Sequence, residues 1–220
     1  NRRTHLDSSK EAWESSWAKQ KSCSSDVINL GRKIYNHFLF QFLKKYIDSQ
    51  TDFLEFGCGT ATLGVQLAQR ARSYTGFDIA DNALKEAAAN FEKSGLKNFN
   101  FEVKDITDFA SDKKFDVVWS QGLIEHFAEP QKLIDSHLAV CREGGRAIIS
   151  VPASHSYHHL WYGLTRPKWL KRFWPWPDAI FISKKMVDQY MKMLNNNYSR
   201  YGVIYLKPRI LGLLIIIIEK

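Results

Sequence analysis

Four short segments carry the residue types that can do chemistry, and they follow one another along the chain. Glu55-Phe56-Gly57-Cys58-Gly59-Thr60 is a glycine turn behind a short apolar run. Glycines there let the backbone bend tightly and approach a ligand closely. Asp78 lies 21 residues after Gly57, at a strand end where a carboxylate can accept from both vicinal hydroxyls of a ribose. Asp105-Ile106 closes the next strand. Its carboxylate suits the exocyclic amine of adenine, and Ile79 with Ile106 can flank the flat ring. Ser120-Gln121 and, just beyond, Glu125-His126 follow the fourth strand, where reacting groups should project. Imidazole titrates near neutrality, which makes His126 the candidate general base, with support of its own loop as the alternative. Glu125 is expected to be solvated or to orient His126.

Rival ligands are weighed on the same residues. A dinucleotide turn needs GxGxxG, and its third glycine position is Thr62 here. A carboxylate at Glu55 would repel a diphosphate at short range. No Gly-Lys-Ser/Thr follows, which excludes a Walker loop. A ligand with an amino group and a sulfonium suits the acidic rim better. Cys23, Cys58 and Cys141 form no CxxC pair, so neither a disulfide scaffold nor a common zinc pattern is expected. Cys58 in its turn is read as a packing residue rather than a nucleophile. His155, His158 and His159 have helical spacing, but no Cys or carboxylate in that segment completes a metal site, and no metal is expected.

These residues need a scaffold of alternating strands and helices. Helices are predicted over 10–22 and 26–48. Strands follow at Thr51–Phe56, Tyr74–Ile79, Phe99–Val103, Phe115–Trp119 and Ala147–Val151. Helices Thr62–Arg72, Ala80–Lys93 and Glu129–Val140 lie between them. The alternation implies βαβ units and a doubly wound, Rossmann-like, mostly parallel α/β sheet. Residues 153–182 read as irregular, aromatic and basic. Ser183–Asn195 reads as a helix, and Tyr198–Leu206 with Ile210–Ile218 as a closing strand pair. The divisions are therefore a helical cover (1–50), a cofactor-binding core (51–152), a lid or substrate insertion (153–182) and a C-terminal helix and strand pair (183–220).

The 220 residues carry a net charge of +8. It is uneven: +4 over 1–50, −4 over 51–150 and +8 over 151–220. A basic face favours anionic partners or simply keeps the protein soluble. The longest apolar run, Ile210 to Ile218, is about half of what a membrane-spanning helix needs. From the polar start no secretory leader is expected within the chain, whose missing Met suggests a trimmed N-terminus. A cytoplasmic protein is expected, with peripheral attachment to an anionic membrane as the variant.

The runs Phe53-Leu54-Glu55-Phe56-Gly57-Cys58-Gly59-Thr60, Gly76-Phe77-Asp78-Ile79, Phe115-Asp116-Val117-Val118-Trp119-Ser120, Ile124-Glu125-His126-Phe127 and Arg142-Glu143-Gly144-Gly145 resemble class I S-adenosylmethionine-dependent methyltransferases. The branch acting on small molecules and quinone precursors is the most similar. The resemblance covers about residues 50–152. It implies seven strands in the order 3-2-1-4-5-7-6, the last antiparallel, with S-adenosyl-L-methionine as cofactor. It implies that Glu55, Gly57, Cys58, Gly59 and Thr60 shape the seat of its methionine end. By the same resemblance Asp78 with Ile79 holds the ribose, Asp105 with Ile106 the adenine, and Ser120 with Gln121 the wall beside the methyl group. Ala61 departs from the family, which often has a third glycine there.

Residues 157–181 contain four of the seven tryptophans, interleaved with Arg166, Lys168, Lys171 and Arg172. Tyr157, His158, Trp161, Trp169 and Arg172 are read as substrate residues in an aromatic lid. A membrane-facing lid comes second, stacking on nucleic acid third, and a satellite core is the plain alternative. Trp13 and Trp17, one turn apart, belong either to that cover or to the core. The reading is methyl transfer to a small-molecule or lipid-like acceptor, through O, N or C. RNA methylation and a non-catalytic S-adenosylmethionine-binding module are the alternatives, and nucleic acid is the less favoured partner.

Overall fold

The computed structural model describes residues 9–22, 26–108, 111–154, 156–165, 179–194, 198–209 and 212–220. Strands β1 (Asp52–Phe56), β2 (Ser73–Asp78), β3 (Phe99–Val103), β4 (Phe115–Gln121), β5 (Cys141–Pro152), β6 (Arg200–Tyr205) and β7 (Leu213–Glu219) form one sheet. Its order is β3-β2-β1-β4-β5-β7-β6. Neighbours from β3 to β5 run parallel, and β7 is antiparallel to both β5 and β6. This is the doubly wound, seven-stranded arrangement expected above.

The central strands are largely apolar because helices cover both faces. Phe53, Trp119, Ile148 and Ile215 pack under α2 (Asp26–Leu43), α3 (Gly64–Ala68) and α4 (Asp81–Lys93) through Leu39, Leu43, Leu67 and Phe91. Leu54, Val118, Ile149 and Ile216 face α5 (Pro130–Val140) and α7 (Lys184–Met193) through Leu133, Ile134, Leu138 and Val187. Pro130 starts α5, where its missing N–H costs nothing. The Ser183 hydroxyl caps α7 by accepting from Met186 N–H at 3.3 Å.

The structure changes several boundaries. The helix predicted to reach residue 48 ends at Leu43, and the one predicted over Thr62–Arg72 shrinks to Gly64–Ala68. β5 begins six residues earlier than predicted, running through Gly144-Gly145. The insertion is not wholly irregular: Tyr157–Thr165 forms helix α6. Ser156 starts it, its carbonyl accepting from Leu160 N–H at 3.1 Å and its hydroxyl from His159 N–H at 3.4 Å. No proline lies between Pro152 and Pro167. No helix among the described residues is long and apolar enough to cross a membrane.

Charged pairs gather at the amino edge of the sheet. Arg142 pairs with Asp116 at 2.5 Å and with Asp52 at 3.3 Å, and Arg72 also pairs with Asp52. Those carboxylates staple the starts of β1 and β4. The acids at the opposite, carboxyl edge are held differently.

Candidate active site

The site is built where β1, β2 and β4 end side by side. After Phe56 the chain turns through Gly57 (φ +63°) and Gly59 (φ +53°), conformations that need glycine. Cys58 N–H donates back to Phe77 O at 3.1 Å, tying the turn to β2. Ala61 also has positive φ, +47°, although it carries a Cβ. A non-glycine residue in that region stores about 1–2 kcal/mol of strain. The residue that departs from the expected glycine pattern thus still adopts a glycine-like conformation.

Asp78 closes β2 and is buried. Its Oδ2 accepts from Gly59 N–H and its Oδ1 from Ala80 N–H, each at 2.8 Å. Burial pushes its carboxyl above the usual range, against the pull of these backbone donors. One carboxylate therefore fixes both the glycine turn and the start of α4. Ile79 beside it is half-buried, and Ile106 is buried. Asp105 is exposed and accepts from Thr107 N–H at 2.9 Å and from Thr107 Oγ1 at 2.7 Å.

Glu55 differs from expectation. Only 4% exposed, it points beneath the turn and accepts a hydrogen bond from Tyr74 Oη. Burial pushes the Glu55 carboxyl up to about 8. It is an internal, largely neutral acid at pH 7, not a charged rim. Glu125 is corrected too: it is 2% exposed rather than solvated, its Oε2 has no hydrogen-bond partner among the described residues, and burial raises it to about 8.

Ser120 is fully buried, and its hydroxyl is taken by the ring of His137 at 2.8 Å. His137 Nδ1 lies 2.6 Å from Leu133 O, so Nδ1 donates there and Nε2 accepts from Ser120. Burial holds His137 down to about 4, keeping it neutral. The Ser120 side chain thus faces α5, on the sheet face opposite Trp119. Gln121, half-buried, ends β4 beside Ser150. His126 is buried, and its ring meets Trp13 of α1 (Lys10–Ser22) edge-on, with centroids 5.0 Å apart.

Both glycines of the turn also meet protein. A Cβ on Gly57 would lie 2.8 Å from Leu123 Cδ1, and one on Gly59 would overlap the Trp17 ring. Tyr157, His158 and Trp161 fall on α6. Trp169 and Arg172 lie outside the described residues, as does His155. His159 of the same helix stacks on Phe181 at 4.7 Å. Among the described residues no three His, Cys, Asp or Glu side chains converge on a metal position.

A methyltransferase domain model matches residues 47–197, from beyond the N-terminal helices to just past α7. The chain belongs to this methyltransferase domain family. Among its relatives is the ubiquinone biosynthesis O-methyltransferase of Coxiella burnetii, 29% identical over 120 residues, 52% of this chain and 51% of that one. A probable (S)-tetrahydroprotoberberine N-methyltransferase of Papaver bracteatum is 25% identical over 151 residues, 67% of this chain and 42% of that one. The solved DhpI–SAM–HEP complex shares the fold, with a TM-score of 0.70 at 16% identity over 99% of both chains. The chain spans about half the length of the curated relatives it matches.

In this methyltransferase domain, sequence reasoning missed two residues at the candidate site, Tyr74 and His137, and left Trp17 between cover and core. Tyr74 reads as an ordinary strand residue, yet its hydroxyl donates to Glu55 from the neighbouring strand. His137 reads as one more position on an amphipathic helix. Only the pairing of α5 with β4 reveals its bond to Ser120. Trp17 left a signal in its one-turn spacing from Trp13, but nothing in the spacing says which surface the helix covers.

Proposed function

We propose that this methyltransferase domain moves a methyl group from S-adenosylmethionine to a small-molecule or lipid-like acceptor. The observation that carries the reading is the Asp78 carboxylate, bound to Gly59 N–H at the carboxyl edge of the sheet within the matched family region. The donor set suits the cofactor. Gly57 and Gly59 leave a backbone without Cβ atoms, Asp78 offers a carboxylate to ribose hydroxyls, and Ile79 with buried Ile106 offers apolar faces to adenine. Asp105 would take the adenine amine, and Gln121 would stand near the methyl group. When bound, S-adenosylmethionine supplies a methyl carbon already activated by its sulfonium. The chain's task is then to align the acceptor and exclude water.

His126 would take the acceptor's proton when the nucleophile has one to lose. Its contact with Trp13 supports a dry position for that transfer. Relatives that methylate oxygen and nitrogen support a small-molecule acceptor without choosing the atom. Leu160 and Leu164 of α6, 67% and 56% exposed, favour an apolar one. Incubating the protein with isotopically labelled methyl donor and a metabolite and lipid extract, followed by mass spectrometry, tests the reading. A new labelled small molecule or lipid is expected. Label found only in added RNA, or S-adenosylhomocysteine that fails to bind, refutes it.

A further inference from the structure

Helix α1 lies across both halves of the site. Its Trp17 ring rests on the buried backbone of Gly59, so closely that a Cβ there would overlap Cζ2 and Cη2. One turn earlier, Trp13 stands against His126 at 88°. Some of the ties that hold α1 to α4 are between charged groups. Lys10 acts on Asp81 and Glu14 on Lys85 across the two helices. Lys10 also pairs with Glu14 at 4.0 Å, and Lys85 with Asp81 at 2.5 Å. These groups are exposed or half-exposed, a setting in which ion pairs contribute little and salt screens them. Both indoles are only half-buried. A 13-residue helix is marginal by itself, so α1 depends on this packing to stay closed.

We infer that Trp17 gates the cofactor site, its indole competing with the cofactor for the face of Gly59. The inference rests on the reading of Gly57–Thr60 as the cofactor turn. A glycine at that position matters because something flat or backbone-close must approach it. In the closed chain that something is Trp17, and the two occupants cannot share the place. Cofactor therefore enters when α1 lifts, and the same movement uncovers His126. A closed form that outnumbers the open one tenfold weakens the apparent affinity about tenfold.

The test titrates S-adenosylhomocysteine into the wild type, Trp17→Ala and Trp17→Phe, by calorimetry and by stopped flow. Trp17→Ala should bind about three- to tenfold more tightly and associate faster. The wild-type rate should level off at high ligand concentration, at the rate of α1 opening. It should rise between about 0.05 and about 0.5 M salt as the charges joining α1 to α4 are screened. Weaker or unchanged binding by Trp17→Ala overturns the gate, the first because it makes Trp17 a wall of the bound site. Should Trp17→Ala fail to fold by circular dichroism, the wild type decides: a linear, salt-independent association rate overturns the proposal. A wild type that binds no S-adenosylhomocysteine overturns the methyltransferase reading itself, a result distinct from either.

Discussion

Replacing Asp78 with asparagine separates two roles that one carboxylate combines. The wild-type side chain accepts from Gly59 N–H and Ala80 N–H at 2.8 Å each. Asparagine has the same shape but one acceptor, so its amide NH2 must oppose one of these donors. A hydrogen bond to a charged group contributes about 1.5–3 kcal/mol. Loss of the Gly59 bond should therefore lower ligand-free stability by about that amount, as measured by urea unfolding. If the turn must keep its shape for the cofactor, affinity falls about 10- to 150-fold, since each 1.4 kcal/mol is a factor of ten. Loss of acceptance from ribose would add to this. Calorimetric titration with S-adenosylhomocysteine supplies the second number. A mutant that loses stability but binds within twofold of the wild type would refute the reasoning, leaving Asp78 a structural staple. Acidification should weaken affinity by protonating the acceptor but should not lower stability, because burial raises Asp78 and the folded chain takes up that proton more readily than the unfolded one.

Three further outcomes follow from the same geometry. Burial raises Glu55 and Glu125 from 4.5 to about 8, so between those values the folded chain holds protons that the unfolded chain releases. Stability should then fall as pH rises from about 5 to about 8, with Glu55→Gln flattening the slope; a melting temperature that climbs across the window contradicts this. His137→Ala removes the partner of Ser120 and Leu133 O and leaves a hole beside Phe56; it should cost about 2–4 kcal/mol in urea unfolding, and a loss below about 1 would show the bonds to be idle. Ala61→Gly relieves a positive φ but gives up a buried methyl, so it should lie within about 1 kcal/mol of neutral; a loss above about 2 kcal/mol would show that Ala61 is unstrained and valued for packing.

The strands, and the placing of each chemical segment at a strand's carboxyl end, were legible because burial on both faces writes apolar runs, whereas the strand order came only from the family resemblance. Phe53–Phe56, Tyr74–Phe77 and Val117–Trp119 carry that mark. Which face a side chain takes was harder to read. Glu55 and Ser120 sit at strand ends that do reach the site, but alternation turns them into opposite faces of the sheet, toward Tyr74 and His137. The partners come from β2 and α5, distant in sequence, and no local pattern announces them. Helix α6 was hidden for a different reason: aromatic residues and prolines dominate the segment, and the single turn-starting Ser156 is easily overlooked.

These corrections change the electrostatic argument for the ligand. A charged Glu55 was to repel a diphosphate, but a carboxyl raised to about 8 is mostly protonated at neutral pH and repels little. Glu125 is weakened as a charge by the same burial. Discrimination must then come from Asp78, whose backbone donors favour its ionised form, and from geometry. Asp78 already occupies Gly59 N–H, a donor that a phosphate oxygen would otherwise seek. A diphosphate at this turn would meet a negative oxygen where it needs a hydrogen. A ribose would meet an acceptor where it offers two. The preference for a nucleoside over a phosphate thus lies less in the net charge of the rim than in who has already claimed the turn's amide.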